Sequence, residues 1–179
     1  MEQRTEYNIA LTKEKNIPQR AVIGEIFPDK KQFKCEIILN DALVAKYERK
    51  DLFVSLMPLR PLEIPQYKLI LTAEFLNLLQ KQDPTAFFKV YHELGHIHNH
   101  DLIRMAELSP EEREAKKNDE TSAEEIAADK FAKGYMGWKH SLKALKDIAK
   151  ERKDFSRGKE EDKAALRDIE RRIAAIKEK

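Results

Sequence analysis

Four of the chain's five histidines lie within nine residues, and the first two are spaced to bind one metal ion. Residues 92–96 read HELGH, and His98 and His100 follow directly. On an α-helix, residues i and i+4 share a face, so His92 and His96 can direct imidazole nitrogens toward the same ion. A pair of neutral imidazoles suits Zn²⁺. The alternative interpretation is a helix that carries these histidines on its surface without binding a metal. This alternative stays open until the helical context and a third ligand are identified.

The residue after the first histidine supplies a general base. Glu93 lies about 100° around the helix from His92, and therefore beside a metal ion rather than beneath it. A carboxylate there can accept a proton from a metal-bound water, which is the chemistry of the H-E-x-x-H motif. We therefore predict His92 and His96 as metal ligands and Glu93 as the catalytic residue.

The helix that must carry this motif begins at a recognisable cap. Asp83 followed by Pro84 predicts an N-cap and a first-turn proline, and the helix is expected to run through FFKVYHELGHIHNH. Phe88, Tyr91 and Gly95 recur at helical spacing. We expect these three residues to pack inward, with the aromatic side chains in the core rather than in contact with a substrate.

A catalytic zinc site needs a third protein ligand and an open position for water. His100 shares the face of His92 and His96, but eight residues of an unbroken helix rise about 12 Å, which excludes binding to the same ion. The extended metzincin pattern requires glycine at position 99 and histidine at position 102, where this chain has Asn99 and Leu102. We therefore expect a carboxylate from a separate helix.

The helix predicted after residue 121 can supply that carboxylate. Glu125 and Asp129 are spaced i, i+4, so one face can present Glu125 to the metal and Asp129 to the far nitrogen of a ligating histidine. Glu125 could instead cap or solvate the first helical turn. Glu120 and Glu124 are the rival ligands, and Glu124 is also a candidate capping partner of Thr121.

Three β-rich runs precede the motif. RAVIGEIF and QFKCEIIL, within residues 20–39, flank turn residues at 28–31 and predict a hairpin. YKLILT, which follows a proline-rich segment, predicts a third or edge strand, and Thr72 is expected to cap a short helix through about Gln80. Cys35, the only cysteine, lies in the second run and is interpreted as a packing residue.

The chain after the motif is predicted to be helical. Ser109 with Glu112 indicates one helix start, a helix containing AEEIAADKFAKGY follows, and glycines at 134 and 137 mark the loosening or end of that helix. Residues 138–153 and 159–178 then predict an antiparallel helical hairpin, each helix with one apolar stripe. The hairpin could pack on the core, self-associate or bind another protein.

Composition favours a soluble cytoplasmic protein. Charged residues make up 37% of the chain, and no segment has the length or hydropathy of a secretory signal or a membrane span. Residues 139–179 hold 14 Lys or Arg against 9 Asp or Glu. A small surplus of basic residues among many acidic ones is typical of a solvated helix face. Direct nucleic-acid binding is therefore not expected.

HELGH combined with a downstream ExxAD segment, here residues 125–129, is similar to the gluzincin arrangement. The sequence more closely resembles the ImmA/IrrE family of small bacterial and phage metallopeptidases. Its members show a phenylalanine before HELGH, a further histidine four residues after it, and an acidic-Ala-Asn/Asp-x-Phe-Ala segment. Phe88, His100 and residues 128–132 match these features, whereas Ala127 and the KGYMG segment depart from them.

The resemblance covers about residues 20–137 and is specific in 87–100 and 125–132. It implies a zinc metallopeptidase with His92, His96 and Glu125 as ligands, Glu93 as the base and Asp129 as a supporting residue. The fold class implied is α+β and zincin-like, with a small antiparallel or mixed sheet packed on the active-site helix and on a second ligand-bearing helix. Residues 1–137 would form the metallopeptidase domain and residues 138–179 the hairpin extension.

The resemblance also implies a protein or peptide substrate, since family members often cleave or control a DNA-binding repressor. Tyr135, His140 and His98 are alternative candidates to stabilise an oxyanion. One rival function is a regulatory binding protein that keeps the fold and docks a partner through its C-terminal helices. Another is a structural metal site, which would have a fourth protein ligand in place of water.

Overall fold

The computed structural model of this protein divides the chain into two compact units, Met1–Lys81 and Gln82–Lys179. The first unit contains the β-sheet, and the second contains the histidine motif. The predicted boundary between residues 137 and 138 differs from this division. The residues that the structure describes are 6–14, 16–28, 32–44, 51–58, 63–117, 123–155 and 160–178.

The described part of the first unit forms a five-stranded mixed sheet in the order β1-β2-β3-β5-β4. Neighbouring strands are antiparallel except β3 and β5, which are parallel. The molecule is therefore α+β, as predicted. The elements of this unit are β1 (Tyr7–Leu11), β2 (Arg20–Pro28), β3 (Lys34–Asn40), α1 (Asp41–Val44), β4 (Leu52–Leu56), β5 (Gln66–Leu71) and α2 (Ala73–Gln80).

The predicted hairpin is confirmed as the antiparallel pair β2 and β3, although its turn residues 29–31 lie outside the described residues. β5 is confirmed as a strand, but its interpretation as an edge strand is wrong because it lies between β3 and β4. Its last three residues are all buried, as is typical of an interior strand. The edge strands β1 and β4 were not predicted, since each is only five residues long.

Two further predictions for this unit are confirmed. Thr72 caps α2 by accepting a hydrogen bond from the backbone N–H of Phe75 at 3.1 Å. Cys35 is 3% exposed in the core, and burial, with a smaller contribution from Glu36, raises the pKa of its thiol to about 12. The thiol is therefore protonated near neutral pH, as expected of a packing residue.

The second unit is helical in its described residues. α3 begins as predicted, because Asp83 accepts a hydrogen bond from the backbone N–H of Ala86. It ends at His98 rather than continuing through HNH, and His100 adopts a left-handed conformation with φ of 59°. The helices of this unit are α3 (Pro84–His98), α4 (Asp101–Glu107), α5 (Pro110–Lys117), α6 (Ala123–Met136), α7 (Trp138–Phe155) and α8 (Glu160–Lys177).

Helix starts and stops in this unit follow local signals. Ser109 and Glu112 form the predicted reciprocal capping box, each side chain accepting from the other residue's backbone N–H. α6 ends at Met136, directly before Gly137, whose φ of 76° places it in the left-handed region, whereas Gly134 lies inside the helix. Thr121, the predicted capping residue of α6, lies outside the described residues.

The predicted C-terminal hairpin forms and packs within this unit. α7 contacts α3 and α6, and α8 contacts α6 and α7. One core cluster joins these helices through Phe88, Ala132, Ala144, Leu145 and Ile176. The apolar stripes of the hairpin therefore face neighbouring helices of the same chain. Among the described residues, no helix is both long enough and apolar enough to cross a membrane.

Candidate metal centre

Two helices of the second unit, α3 and α6, carry the three predicted metal ligands. α3 carries His92 and His96 one turn apart, and α6 carries Glu125 in its first turn. The helices approach closely at Gly95, where an added Cβ would lie 2.8 Å from the Cα of Ala128. A larger residue at position 95 would therefore force the two backbones apart.

The three predicted ligands converge on one point. The Nε2 atoms of His92 and His96 lie 3.1 Å apart. One oxygen of Glu125 lies 3.3 Å from His92 Nε2, and its other oxygen lies 3.4 Å from His96 Nε2. Of the described residues, these three form the one group of histidine, cysteine and acidic side chains that could hold a metal ion.

The predicted contact between Asp129 and a ligating histidine is present. His92 Nδ1 donates to Asp129 Oδ1 at 2.8 Å, and Asp129 is fully buried. Because an ionised carboxylate only accepts hydrogen bonds, the proton of a neutral His92 resides on Nδ1. The lone pair of Nε2 is then directed toward His96 and Glu125, as a metal ligand requires.

His96 has an equivalent support that sequence reasoning missed. Its Nδ1 donates to Asp101 Oδ2 at 2.8 Å, and Asp101 also pairs with Arg104 on the next turn of α4. On an unbroken helix, positions 96 and 101 would face different directions. The break at residues 99–100 returns Asp101 to His96. No local signal in the sequence, other than the acid's proximity to the motif, indicated this contact.

Arg172, from α8, is the second supporting residue that was not predicted. Its guanidinium donates to both oxygens of Asp129, from Nε at 2.6 Å and from Nη2 at 2.8 Å. Arg172 follows Ile169 by three residues and precedes Ile176 by four, so the helical pattern places it on the buried face of α8. That position was the signal available in the sequence.

Electrostatic interactions in the centre favour charged side chains in the metal-free protein. Burial lowers the pKa of His92, but hydrogen bonds to Asp129 and Glu125 outweigh burial and raise it to about 9. Burial likewise lowers the pKa of His96, but the hydrogen bond to Glu125 and the charges of Glu125 and Glu93 raise it overall.

The acidic residues show the opposite balance. Burial raises the pKa of Glu125, but hydrogen bonds to both histidines and the charge of Arg172 hold it well below its usual range. Burial also raises the pKa of Asp129, but its hydrogen bonds to Arg172 and His92 lower it overall. Both carboxylates are therefore ionised at neutral pH, and Glu125 is available as an anionic ligand.

Glu93, the residue predicted as the general base, lies close enough to the histidine pair for its charge to act on His96. It lies on α3 between the two histidines, is half-buried, and its charge contributes to the raised pKa of His96. A side chain at this position can exchange protons with a molecule bound beside the histidine pair.

The other residues considered from sequence lie elsewhere or have other contacts. Glu124 pairs with Lys116, and Glu120 lies outside the described residues. Tyr135 stacks on Tyr91 and packs against Phe131, which also contacts the ring of His98. His140 donates from Nδ1 to the backbone carbonyl of Met136. The metal-binding group contains none of these candidates and does not contain His100.

A comparison of this chain with protein-family models, with curated proteins and with solved structures finds no match in any of the three.

Proposed function

We propose that this protein is a zinc-dependent metallopeptidase with a zincin-like fold. His92, His96 and Glu125 would bind the Zn²⁺ ion, Asp129 would support His92, and Glu93 would act as the general base. The observation that carries this proposal is the convergence of three possible ligand groups on one point. Glu93 follows His92 on the same helix, and its charge acts on His96.

The spacing of the three groups suits a zinc ion. Zinc bonds of about 2.0–2.1 Å at tetrahedral angles separate neighbouring ligand atoms by about 3.3 Å. The separations found here are 3.1 Å between the histidine nitrogens, 3.3 Å from His92 Nε2 to Glu125 Oε2 and 3.4 Å from His96 Nε2 to Glu125 Oε1. Two imidazoles and one carboxylate are also a donor set that zinc enzymes use.

The number of ligands favours a catalytic site over a structural one. Structural zinc sites are closed by four protein ligands, whereas catalytic sites have three and leave a position for water. In the part of the chain that the structure describes, the group has three members. The Glu125 side chain is 35% exposed, while the histidines are 11% and 13% exposed, so the centre is accessible beside Glu125.

The chemistry follows from these positions. When bound, Zn²⁺ lowers the pKa of its water toward 7 and polarises a carbonyl group. Glu93 accepts a proton from the attacking water and transfers it to the leaving amine nitrogen. Asp129 and Asp101 hold the Nδ1 protons of the two histidines, so each imidazole keeps its Nε2 lone pair for the metal.

The resemblance to ImmA/IrrE metallopeptidases makes a repressor-like regulatory protein the proposed substrate, in the cytoplasm. The competing function, a binding protein that docks a partner through its C-terminal helices, was suggested by the apolar stripes of the hairpin. Those stripes contribute Leu145 and Ile176 to the internal core cluster. The feature that suggested docking is therefore used in packing within the chain.

Metal analysis tests the ligand set first. The purified protein, prepared without chelators, should contain one zinc ion per chain, and His96→Ala should lose it. His140→Ala is the matched control, because His140 is exposed and lies outside the metal-binding group. Wild-type protein without stoichiometric zinc, or zinc retained by His96→Ala, would contradict the proposal.

Glu93→Gln then tests the enzyme function. The variant should retain zinc but lose cleavage of a denatured protein and of a peptide library, both followed by mass spectrometry. Glutamine keeps the size of the side chain but cannot accept a proton from water. Glu107→Gln, on α4, provides a matched exposed control. Undiminished cleavage by Glu93→Gln would rule out this residue as the general base.

A further inference from the structure

The C-terminal helix α8 contacts the candidate metal centre through the buried side chain of Arg172. Arg172 is 8% exposed, and its guanidinium contacts two acidic residues of α6. One turn further along, Lys133 Nζ of α6 donates to the backbone carbonyl of Ile176 at 2.8 Å. Both polar contacts advance by four residues on each helix, so α6 and α8 run alongside each other in the same direction here.

The contact with Glu125 matters most for the chemistry. Arg172 Nη1 lies 3.0 Å from Glu125 Oε2, while its Nε and Nη2 donate to the two oxygens of Asp129. The guanidinium therefore bridges the predicted third ligand and the residue that supports His92. A planar guanidinium can make these contacts at once because its donors lie in a fixed fork.

The two oxygens of Glu125 consequently have different surroundings. Oε2 lies 3.0 Å from Arg172 Nη1 and 3.3 Å from His92 Nε2, whereas Oε1 lies 3.4 Å from His96 Nε2. A carboxylate can bind a metal through one oxygen or both. A guanidinium donor on Oε2 competes with binding through that oxygen and leaves Oε1 available to an ion.

We propose that Arg172 is a positioning residue that makes Glu125 bind the metal through Oε1 alone. With two histidine nitrogens and one carboxylate oxygen, the metal retains a position for water. The inference rests on the metallopeptidase function proposed above and adds how the open position is maintained. It also makes α8 a component of the metal centre rather than an extension beyond it.

The experiment uses the full-length protein loaded with Co²⁺, whose visible absorption reports coordination geometry. Arg172→Lys keeps the positive charge but loses the fork, so it cannot hold Glu125 and both oxygens of Asp129 together. Its Co²⁺ spectrum should weaken and shift, because binding by the second Glu125 oxygen raises the coordination number. The affinity for Co²⁺ should fall about 10- to 100-fold.

Arg167→Lys is the matched control, since Arg167 lies on the same helix and is exposed. It should leave both the spectrum and the affinity unchanged. Arg172→Met combined with Asp129→Asn provides a second test without an unpaired buried charge, and its spectrum should change in the same direction. Circular dichroism of the metal-free variants establishes that each is folded before the spectra are compared.

The outcomes separate this inference from the proposed function. Wild-type protein that binds neither Zn²⁺ nor Co²⁺ would overturn both. Wild-type protein that binds one Co²⁺ with the same spectrum and affinity as folded Arg172→Lys would overturn the role of Arg172 alone. The same conclusion would follow if the paired variant retained the wild-type spectrum.

Discussion

The two histidines proposed as metal ligands are held by supports of the same chemistry but of different origin. His92 is held by Asp129 and Arg172, which come from α6 and α8, whereas His96 is held by Asp101 and Arg104, both from the short α4. The guanidinium side chain of the first support is 9% exposed, and that of the second is 55% exposed.

The same hydrogen-bond pattern therefore contributes unequally to stability at His92 and at His96. The His92 support depends on three helices meeting and buries a carboxylate and a guanidinium together, so neither charge can be removed alone without exposing the other to an apolar environment. The His96 support forms across one turn of chain, and water can solvate its arginine if the carboxylate is lost.

The largest expected effect of this difference is on stability. Asp129→Ala should lower the free energy of unfolding of the metal-free protein by about 3–5 kcal/mol, because the buried guanidinium of Arg172 loses both hydrogen bonds to Asp129 and keeps only its contacts with Glu125 and Asp168. Asp101→Ala should lower it by about 1–2 kcal/mol, mainly through the lost hydrogen bond to His96. Urea denaturation of both variants measures the comparison.

A double variant tests whether the buried charge of Arg172 causes this loss of stability. Adding Arg172→Met to Asp129→Ala removes the buried charge that has lost its main partner and should restore part of the lost stability. Equal destabilisation by Asp129→Ala and Asp101→Ala would show that the two supports carry the same structural weight.

Metal affinity should show the next largest effect. Asp129→Asn and Asp101→Asn each retain an oxygen that can accept the Nδ1 proton but lose the negative charge that strengthens the imidazole as a ligand. We expect affinity for Zn²⁺ to fall about 10- to 100-fold in each variant, with the greater loss at Asp129. Competition with a chromophoric chelator measures both. A greater loss at Asp101 would reverse the comparison.

The stability of the metal-free protein should also depend on pH. The pKa of His92 is raised from 6.5 to about 9 in the folded protein. Protonated His92 therefore favours the folded state, and this contribution is complete below pH 6.5 and is lost as the pH rises through 9. Thermal unfolding in the presence of a chelator should show a midpoint that falls across this range.

Asp129→Asn should reduce the decrease of the unfolding midpoint with pH, because the hydrogen bond to Asp129 is the largest effect that raises the pKa of His92. Asp101→Asn is the matched control and should retain more of the pH dependence. A midpoint independent of pH between 6.5 and 9 in the wild-type protein would contradict this account.

The smallest effect is expected at the exposed arginine. Arg104→Met should cost less than about 1 kcal/mol of stability, and the difference from wild type should shrink as salt is added, since exposed ion pairs are weak and screened. Urea denaturation at low and high ionic strength measures it. If the loss of stability persists at high salt, the ion pair of Arg104 with Asp101 is shielded from solvent more than the exposure of Arg104 indicates.

The sequence predicted the parts of the centre that depend on helical spacing. His92 and His96 share a face by periodicity, and Asp129 follows Glu125 by one turn, so placing these side chains required no knowledge of the tertiary fold. The start of α3 was likewise predictable, because Asp83 and Pro84 act on the adjacent backbone.

The supports that were missed depend on where the chain changes direction. Asp101 reaches His96 only because α3 ends at His98 and His100 adopts a left-handed conformation, which is uncommon for a residue other than glycine. The contact between Arg172 and Asp129 depends on how the C-terminal hairpin packs against α6. A charged residue in a helix rich in charges is usually solvated, and the sequence contains no direct record of that packing.

The sheet shows the same limit. The antiparallel pair β2 and β3 joins neighbouring strands and was predicted from its alternating pattern. The parallel pairing of β3 with β5 places β4 at the edge, although β4 lies between them in the chain. Strand order of this kind is set by contacts between distant segments, which a pattern along one segment does not encode.

The close approach of α3 and α6 at Gly95 has one more consequence, for the distance between the two histidines and Glu125. The gap between the histidine pair and Glu125 is set where two main chains meet, at Gly95 and Ala128, only a few residues from all three ligands. Side chains can change rotamer, but backbone atoms already in contact cannot move closer. Gly95→Ala would therefore move His92 and His96 away from Glu125 without changing any of the three side chains.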